Sequence, residues 1–332
     1  MVENHSIKYP FEILNLYQTK STLLRIFNSI ESFVCTEKTV VTIGTFDGVH
    51  LGHQKIIERL IATAKDRNSE SVILTFFPHP RMVLQDQSEI RLLNSIDERK
   101  ELLKKSGLEN LIVHPFDQDF SRLTAEDFVK NILVKKLKVD KLIIGYDHRF
   151  GRNRTADIDD LIEFGEEYNF EVEQISAKEI QDASVSSSKI RTALNEGNIE
   201  LANQYLGYSY FLTGVVQKGK QLGRTIGFPT ANLKIEEQYK LIPKRGVYIV
   251  ACELNFTNVY GMMNIGTNPT VNGNAESIEI HFIDFDGDLY NQQIKVELLS
   301  YIRAEQKFES VNHLQEQLEK DKIHTIAFLK SL

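Results

Sequence analysis

The chain has 332 residues, with 42% hydrophobic and 26% charged side chains, which predicts two ordinary globular domains. No apolar stretch approaches the roughly 20 residues of a membrane helix, and the opening MVENHSIKYPFEILNLY lacks the basic-then-apolar order of a secretory signal, so neither placement is expected. A net charge of −7 without a long basic run argues against a general grip on nucleic acid, and two isolated cysteines, Cys35 and Cys252, fit a reducing cytoplasm better than a disulfide frame or a thiolate metal site.

Through about residue 207, β-branched apolar runs (KTVVTIGTF, SVILTFF, LIVHPF, KLIIGY, EVEQIS) alternate with helical stretches. In HQKIIERLIATAKDR, the residues Ile56, Ile57, Leu60, Ile61 and Ala64 share one helical face. Strands apolar throughout, each followed by an amphipathic helix, predict a doubly wound parallel sheet covered on both faces. After YLGYSY the pattern changes: YFLTGVVQ, GVYIVACEL, VYGMMNIG, SIEIHFID and IKVELLSYI follow one another with almost no helix between them, predicting an antiparallel β-barrel. The last 23 residues return to a helical period, expected to pack on the barrel. The domains are therefore expected to be 1–207 and 208–332, with the boundary near Gly207.

The stretch TIGTFDGVHLGHQKII sets His50 and His53 three residues apart, after a strand ending at Thr45–Phe46 and before a helix opening near His53. Three readings compete. The pair can be polar residues closing a loop. A metal site needs a third ligand, for which only Asp47 and the more distant His79 are near in sequence, and there is no HExxH pattern. Alternatively, a helix start after the first strand presents unpaired N–H groups and a positive dipole end, a natural seat for phosphates, with Gly44, Gly48 and Gly52 allowing close backbone and the imidazoles donating to phosphate oxygens. Such a site would hold ATP while another phosphate attacks the α-phosphorus.

GTFDGVHLGH resembles the HxGH signature of the nucleotidyltransferase superfamily in the form of the prokaryotic riboflavin kinase/FMN adenylyltransferase (bifunctional FAD synthetase) family. FFPHP (Phe76–Pro80), GYDHRFG (Gly145–Gly151) and SSSKIR (Ser186–Arg191) follow in that family's order. The resemblance implies that His50 and His53 polarise the ATP phosphates, that Gly44, Asp47 and Asp147 contact the nucleotide, and that Ser187, Ser188 and Arg191 hold the β- and γ-phosphates. Hydroxyls and N–H groups at a helix start, with an arginine one turn on, do make an anion site, although SSSKIR by itself reads better as a plain serine cap. Phe76 and Pro78 are implied to frame the flavin. His148 stands where the family usually has an aromatic, most often Phe.

GKQLGRTIGFPTANL is not a Walker A loop, because Gly219 to Thr225 has too short a spacing and carries Arg224 in place of the lysine. By itself it reads as a glycine-rich hairpin. It resembles the riboflavin kinase signature G-R-x-x-G-[F/Y]-P-T-A-N, which implies that Gly223, Arg224 and Gly227 bind ATP phosphates and that Thr230 and Asn232 hold Mg²⁺. Both are the hard oxygen donors that ion prefers. The implied general base is Glu279 of SIEIHF. Alternation sets Ile278, Ile280 and Phe282 on one face of that strand and Glu279 with His281 on the other, which alone describes a solvent-facing side. NIGTNPT (Asn264–Thr270), DLY (Asp288–Tyr290) and RAEQKF (Arg303–Phe308) also resemble that domain, with Arg303 and Glu305 implied as flavin contacts. Asn291 replaces the glycine that commonly follows DLY, and asparagine tolerates the left-handed conformation a turn needs there.

The resemblance thus implies a cytoplasmic two-domain enzyme of flavin synthesis. The barrel would convert riboflavin and ATP to FMN and ADP, the α/β domain FMN and ATP to FAD and pyrophosphate, both with Mg²⁺. Its partners are these small molecules, with no nucleic acid or membrane expected and the oligomeric state open. The departures at His148 and Asn291 keep open a chain with one working site, and a flavin-sensing nucleic-acid-binding protein is a third reading.

Overall fold

The computed structural model describes residues 23–84, 90–145, 150–151, 156–176, 185–219, 222–270 and 273–332. The described chain packs as two compact units. One comprises 23–187 together with Tyr239–Leu241, the other Ser188–Gln238 and Ile242–Leu332.

The first unit is built on a six-stranded sheet of β1 (Arg25–Phe27), β2 (Thr39–Ile43), β3 (Glu70–Phe76), β4 (Asn110–His114), β5 (Val139–Gly145) and β6 (Glu171–Ile175), in the order β1-β4-β3-β2-β5-β6. Every neighbouring pair is parallel. Side chains alternate between two buried faces, which is why the strands read as continuously apolar. Val40, Ile73, Leu111 and Ile143 pack with Ile57, Leu60 and Ala64 of α1 (Leu51–Asp66). Val41, Leu74, Ile112 and Leu142 pack on the opposite face with Phe128, Val129 and Leu133 of a π-helical stretch, Phe128–Val134. Shorter helices α2 (Pro80–Leu84), α3 (Ile96–Lys104), α4 (Ala125–Asp127) and α5 (Ile158–Tyr168) complete the connections. From β2 the chain moves through β3 to β4 on one side, then crosses to β5 on the other. The strand order therefore reverses between β2 and β5, the place where open parallel sheets take their ligands.

Helices α6 (Ser187–Glu196) and α7 (Ile199–Leu206) precede the barrel strands β7 (Phe211–Gln217), β8 (Ala231–Lys234), β9 (Gly246–Leu254), β10 (Thr257–Thr270), β11 (Gly273–Phe282) and β12 (Gln293–Arg303). The strands close in the order β10-β11-β8-β7-β12-β9, and every neighbouring pair is antiparallel. Cross-strand partners such as Ile265 with Ile278, Met263 with Ile280 and Val296 with Cys252 are buried together. A short helix, α8 (Leu222–Thr225), precedes β8, and α9 (Val311–Ser331) ends the chain.

All the strands expected from composition are present, and so is the terminal helix. β1 and β8 were not anticipated; each has only three or four residues, too short for a two-residue period to register. The strand before the histidines ends at Ile43, earlier than Thr45–Phe46, and α1 opens at Leu51, so His50 caps the helix and His53 lies in its first turn. Packing assigns the chain from Ser188 onward, Tyr239–Leu241 excepted, to the barrel unit: Asn203 of α7 donates to the Leu298 carbonyl at 2.9 Å, and the Lys244 amide donates to that of Leu194 at 3.0 Å.

Candidate functional site

The loop from Gly44 to His50 leaves β2 at the reversal of strand order. Phe46 and Val49 have φ of +48° and +40°, and Gly48 has φ of +90°. A β-branched residue at positive φ is strained, and such strain persists only where the surroundings over-determine it. Phe46 and Val49 are buried, the Val49 amide donates to the Phe46 carbonyl at 3.1 Å, and the Gln54 side chain donates to the Val49 carbonyl at 2.9 Å. Thr75 at the end of β3 donates to the Thr45 carbonyl at 3.2 Å. On α6, Ser187 donates its hydroxyl to the Asp47 carbonyl at 2.9 Å.

His50 caps α1, its Nδ1 accepting from the His53 amide at 3.4 Å. That bond leaves the proton of the neutral ring on Nε2. The two imidazoles stack at 3.7 Å with 18° between planes. His53 Nδ1 is buried and has no hydrogen-bond partner among the described residues. Burial pushes the His53 pKa well below the usual histidine value, and the adjacent His50 and Arg99 push it further the same way. The first turn of α1 holds no acidic residue, so no carboxylate there offsets the positive end of the helix dipole.

Asp47 does not face outward from this loop. Its carboxylate is 1% exposed and accepts from the Leu93 amide at 2.9 Å and the Asn94 amide at 3.3 Å, with Arg99 at 3.7 Å. Nothing in the sequence near Asp47 points to these partners. The Ser95–Glu98 capping box of α3, which positions them, is legible as S-x-x-E in SIDE. Phe76 is buried against Phe116 and Phe120, whereas Pro78 is exposed. Ser188 and Arg191 follow Ser187 on α6. Asp147 and His148 lie outside the described residues, just after β5; beyond them Gly151 has φ of +72° and packs against Ala125.

In the barrel unit, Asn232, Glu279 and Asn264 are direct cross-strand partners on β8, β11 and β10. Opposed residues share a face, so the three side chains form one row. The Thr230 hydroxyl donates to Glu279 at 3.3 Å. A Cβ on Gly219 would stand 2.2 Å from the Asn232 side chain, and one on Gly266 would stand 2.3 Å from Glu305, so both glycines let their neighbours close on the row. A Cβ on Gly223 would meet the Phe228 carbonyl at 2.1 Å, and Gly227 has φ of +83°, which fixes the turn carrying the exposed Arg224. His281, on the same strand face as Glu279, is bound to the Pro229 carbonyl at 2.9 Å, and burial lowers its pKa.

Arg303 is engaged elsewhere. Its guanidinium makes a forked pair with Asp321 of α9 at 2.6 to 3.0 Å and lies over Phe308. Asn291 has φ of +61°, so it does take the left-handed turn position expected of it. Asn264 and Gly219 had no assigned role in the sequence reading; the first becomes visible only through strand register.

A family model described as FAD synthetase matches residues 33–189, and one described as riboflavin kinase matches 206–329. A bifunctional riboflavin kinase/FMN adenylyltransferase of Listeria monocytogenes is 38% identical over 88% of this chain and 93% of its own length. One of the same description from Bacillus subtilis is 37% identical over 89% and 94%. A solved structure described as a macrolide-efflux protein from Streptococcus pneumoniae superposes with a TM-score of 0.83 at 30% identity, covering 91% of this chain and 98% of that one. Among the described residues no helix is long and apolar enough to cross a membrane. With both domain models matched in order and the relatives aligned over nearly their full length, the chain belongs to the bifunctional riboflavin kinase/FMN adenylyltransferase family.

Proposed function

We propose that this chain makes FMN from riboflavin and ATP in its barrel unit and FAD from FMN and ATP in its α/β unit. The observation that carries the reading is that each unit holds an assembled group of side chains suited to its own step.

In the α/β unit, the N–H groups opening α1 and the Nε2–H of His50 supply donors to the ATP phosphates. The stacked, neutral His53 sits one turn inside. Attack by an FMN phosphate oxygen on the α-phosphorus breaks its bond to the bridging oxygen and releases pyrophosphate. Fixed donors at that helix start offset the charge that develops on the leaving group, and no protein nucleophile is needed. Ser187, whose hydroxyl bonds the loop at Asp47, is assigned to the β- and γ-phosphates. Gly44, and Asp147 outside the described residues, are assigned to the nucleotide, and Phe76 with Pro78 to the flavin side. Asp47 shapes the loop from behind it.

In the barrel, Glu279 is the general base. It accepts the proton of the ribityl 5′-hydroxyl as that oxygen bonds to the γ-phosphorus and ADP departs. Gly223, Arg224 and Gly227 line the phosphate loop, and Glu305 lies on the flavin side. Among the described residues no three His, Cys, Asp or Glu side chains gather to hold a metal by themselves. The oxygens of Thr230 and Asn232 fit an ion that takes one or two protein ligands and completes its shell with phosphate and water, as Mg²⁺ does. When bound, Mg²⁺ would neutralise charge on the phosphates. These small-molecule reactions belong in the cytoplasm, where ATP is abundant.

The test is direct. Purified protein is incubated with riboflavin, ATP and Mg²⁺, and the flavins are separated by chromatography. FMN followed by FAD is expected. FMN alone, with no conversion of supplied FMN, would reduce the chain to a one-site enzyme.

A further inference from the structure

Residues Tyr239–Leu241 lie between β8 and β9 in chain order, yet they pack with the α/β unit. They form a parallel bridge with Leu92, whose amide donates to the Tyr239 carbonyl at 2.7 Å and whose carbonyl accepts from Leu241 at 2.8 Å. The Tyr239 ring packs on Phe77 at 5.2 Å. Its hydroxyl accepts from the Ile96 amide at 3.4 Å. Lys240 is 2% exposed. Its ammonium donates to the Leu93 carbonyl at 2.7 Å and to the Glu98 carboxylate at 2.6 Å.

A buried lysine is costly unless its charge is paired and its protons are bonded, and both conditions are met here. The segment it grips is also the one that grips Asp47. The Leu93 carbonyl faces Lys240, while the Leu93 and Asn94 amides donate to the Asp47 carboxylate. Glu98 accepts from Lys240 and also from the Ser95 amide of its capping box, and Arg99 of the same helix pairs with Asp47. Lys240, Glu98, Arg99 and Asp47 thus balance two positive against two negative buried charges. The chain is held from Lys240, through 93–99, to the strained loop that ends in His50.

We propose that Lys240 is a positioning residue for adenylyl transfer: through Leu93 and Glu98 it fixes the amides that hold Asp47, and with it the loop carrying the histidine pair. The inference rests on the adenylyltransferase reading of that loop. It makes the FAD-forming step depend on a residue outside the 33–189 segment matched as FAD synthetase and inside the segment matched as riboflavin kinase.

The test compares the full-length protein with its Lys240→Met and Lys240→Met/Glu98→Gln variants. The double variant removes both charges of the pair, so it guards against collapse from an unpaired Glu98. Two readouts are taken: the rates of FMN and FAD formation, each from its supplied substrate, and hydrogen exchange at the Leu93 and Asn94 amides. Small displacements of positioned groups commonly reduce rate by up to about 100-fold. We expect kcat for FAD formation to fall by about tenfold to 100-fold in both variants, with FMN formation unchanged and exchange at the two amides faster. Lys240→Arg should restore part of the rate. Unchanged amide exchange, unchanged FAD formation, or an equal loss of both activities would overturn the proposal. If the unaltered protein makes no FAD, the adenylyltransferase reading fails by itself, and the exchange measurement still decides whether Lys240 holds the loop.

Discussion

At the residue scale, His53 ties structure to chemistry most closely. Its Nδ1 is buried without a partner and its ring stacks on His50, so the neutral form is favoured at neutral pH. His53→Ala should abolish FAD formation while FMN formation continues, since losing one preorganised donor group commonly costs on the order of 10²–10³ in rate. Conversion of supplied FMN at the unaltered rate would refute the assignment. The same depression sets a pH dependence. His53, His114 and His281 all have lowered pKa values, burial being the leading cause in each. The unfolded chain takes up these protons once pH falls below about 6.5, while the folded chain resists them, so stability is full above that value and lost below it. Melting temperature should fall between about pH 7 and about pH 5.5, and more shallowly in His53→Gln. In the barrel, Glu279→Gln keeps the oxygen that accepts from Thr230 and removes the base. FMN turnover should drop by roughly 10²–10⁴ with little change in substrate affinity. Stopped assays at saturating substrate, with calorimetry for binding, separate the two effects.

At the scale of elements, α9 is fastened to the barrel by Arg303 and the buried Asp321, which also accepts from Gln317 at 2.9 Å. This arrangement gives Arg303 a structural duty that the motif RAEQKF did not disclose. Arg303→Met would leave the Asp321 carboxylate buried without its cation, a change that costs about 3–5 kcal/mol. Denaturant unfolding should register that loss in the barrel. A raised KM for riboflavin with unaltered stability would instead mark Arg303 as a flavin contact. The glycines of the 219–227 segment work at this scale too, because Gly223 has no room for a side chain beside the Phe228 carbonyl.

At the scale of the whole molecule, the limits of the matched family segments and the limits of packing differ. The riboflavin kinase match begins at 206, but α6 and α7 pack with the barrel unit, Asn203 bonding to both Leu298 and Tyr210. A fragment beginning near Gly207 should still fold and phosphorylate riboflavin. One beginning near Ser186 should melt a few degrees higher, as an added ~1 kcal/mol shifts the midpoint by about 2–4 °C in domains near 150 residues. Equal melting temperatures would show that the two helices add nothing to the barrel. An inactive but folded fragment from Gly207 would refute a self-contained kinase site.

The sequence by itself determined the alternation of buried strands and amphipathic helices, the change to consecutive strands, and the motifs around His50, Thr230 and Glu279. These are local signals: periodicity follows from side-chain geometry, and a helix start or glycine turn is written in neighbouring residues. Short strands such as β1 and β8 fell below what a period can reveal. Glu279 read as one side of an exposed strand, because alternation gives a face without saying what lies across it. Only strand register brought Asn232 and Asn264 alongside it. Asp47 read as a ligand-facing residue, and only the fold turned it toward the amides of Leu93 and Asn94. Nothing in the residues around Lys240 marks it, since burial of a charge depends on a partner 142 positions away in the chain, and that distance is closed by tertiary structure alone.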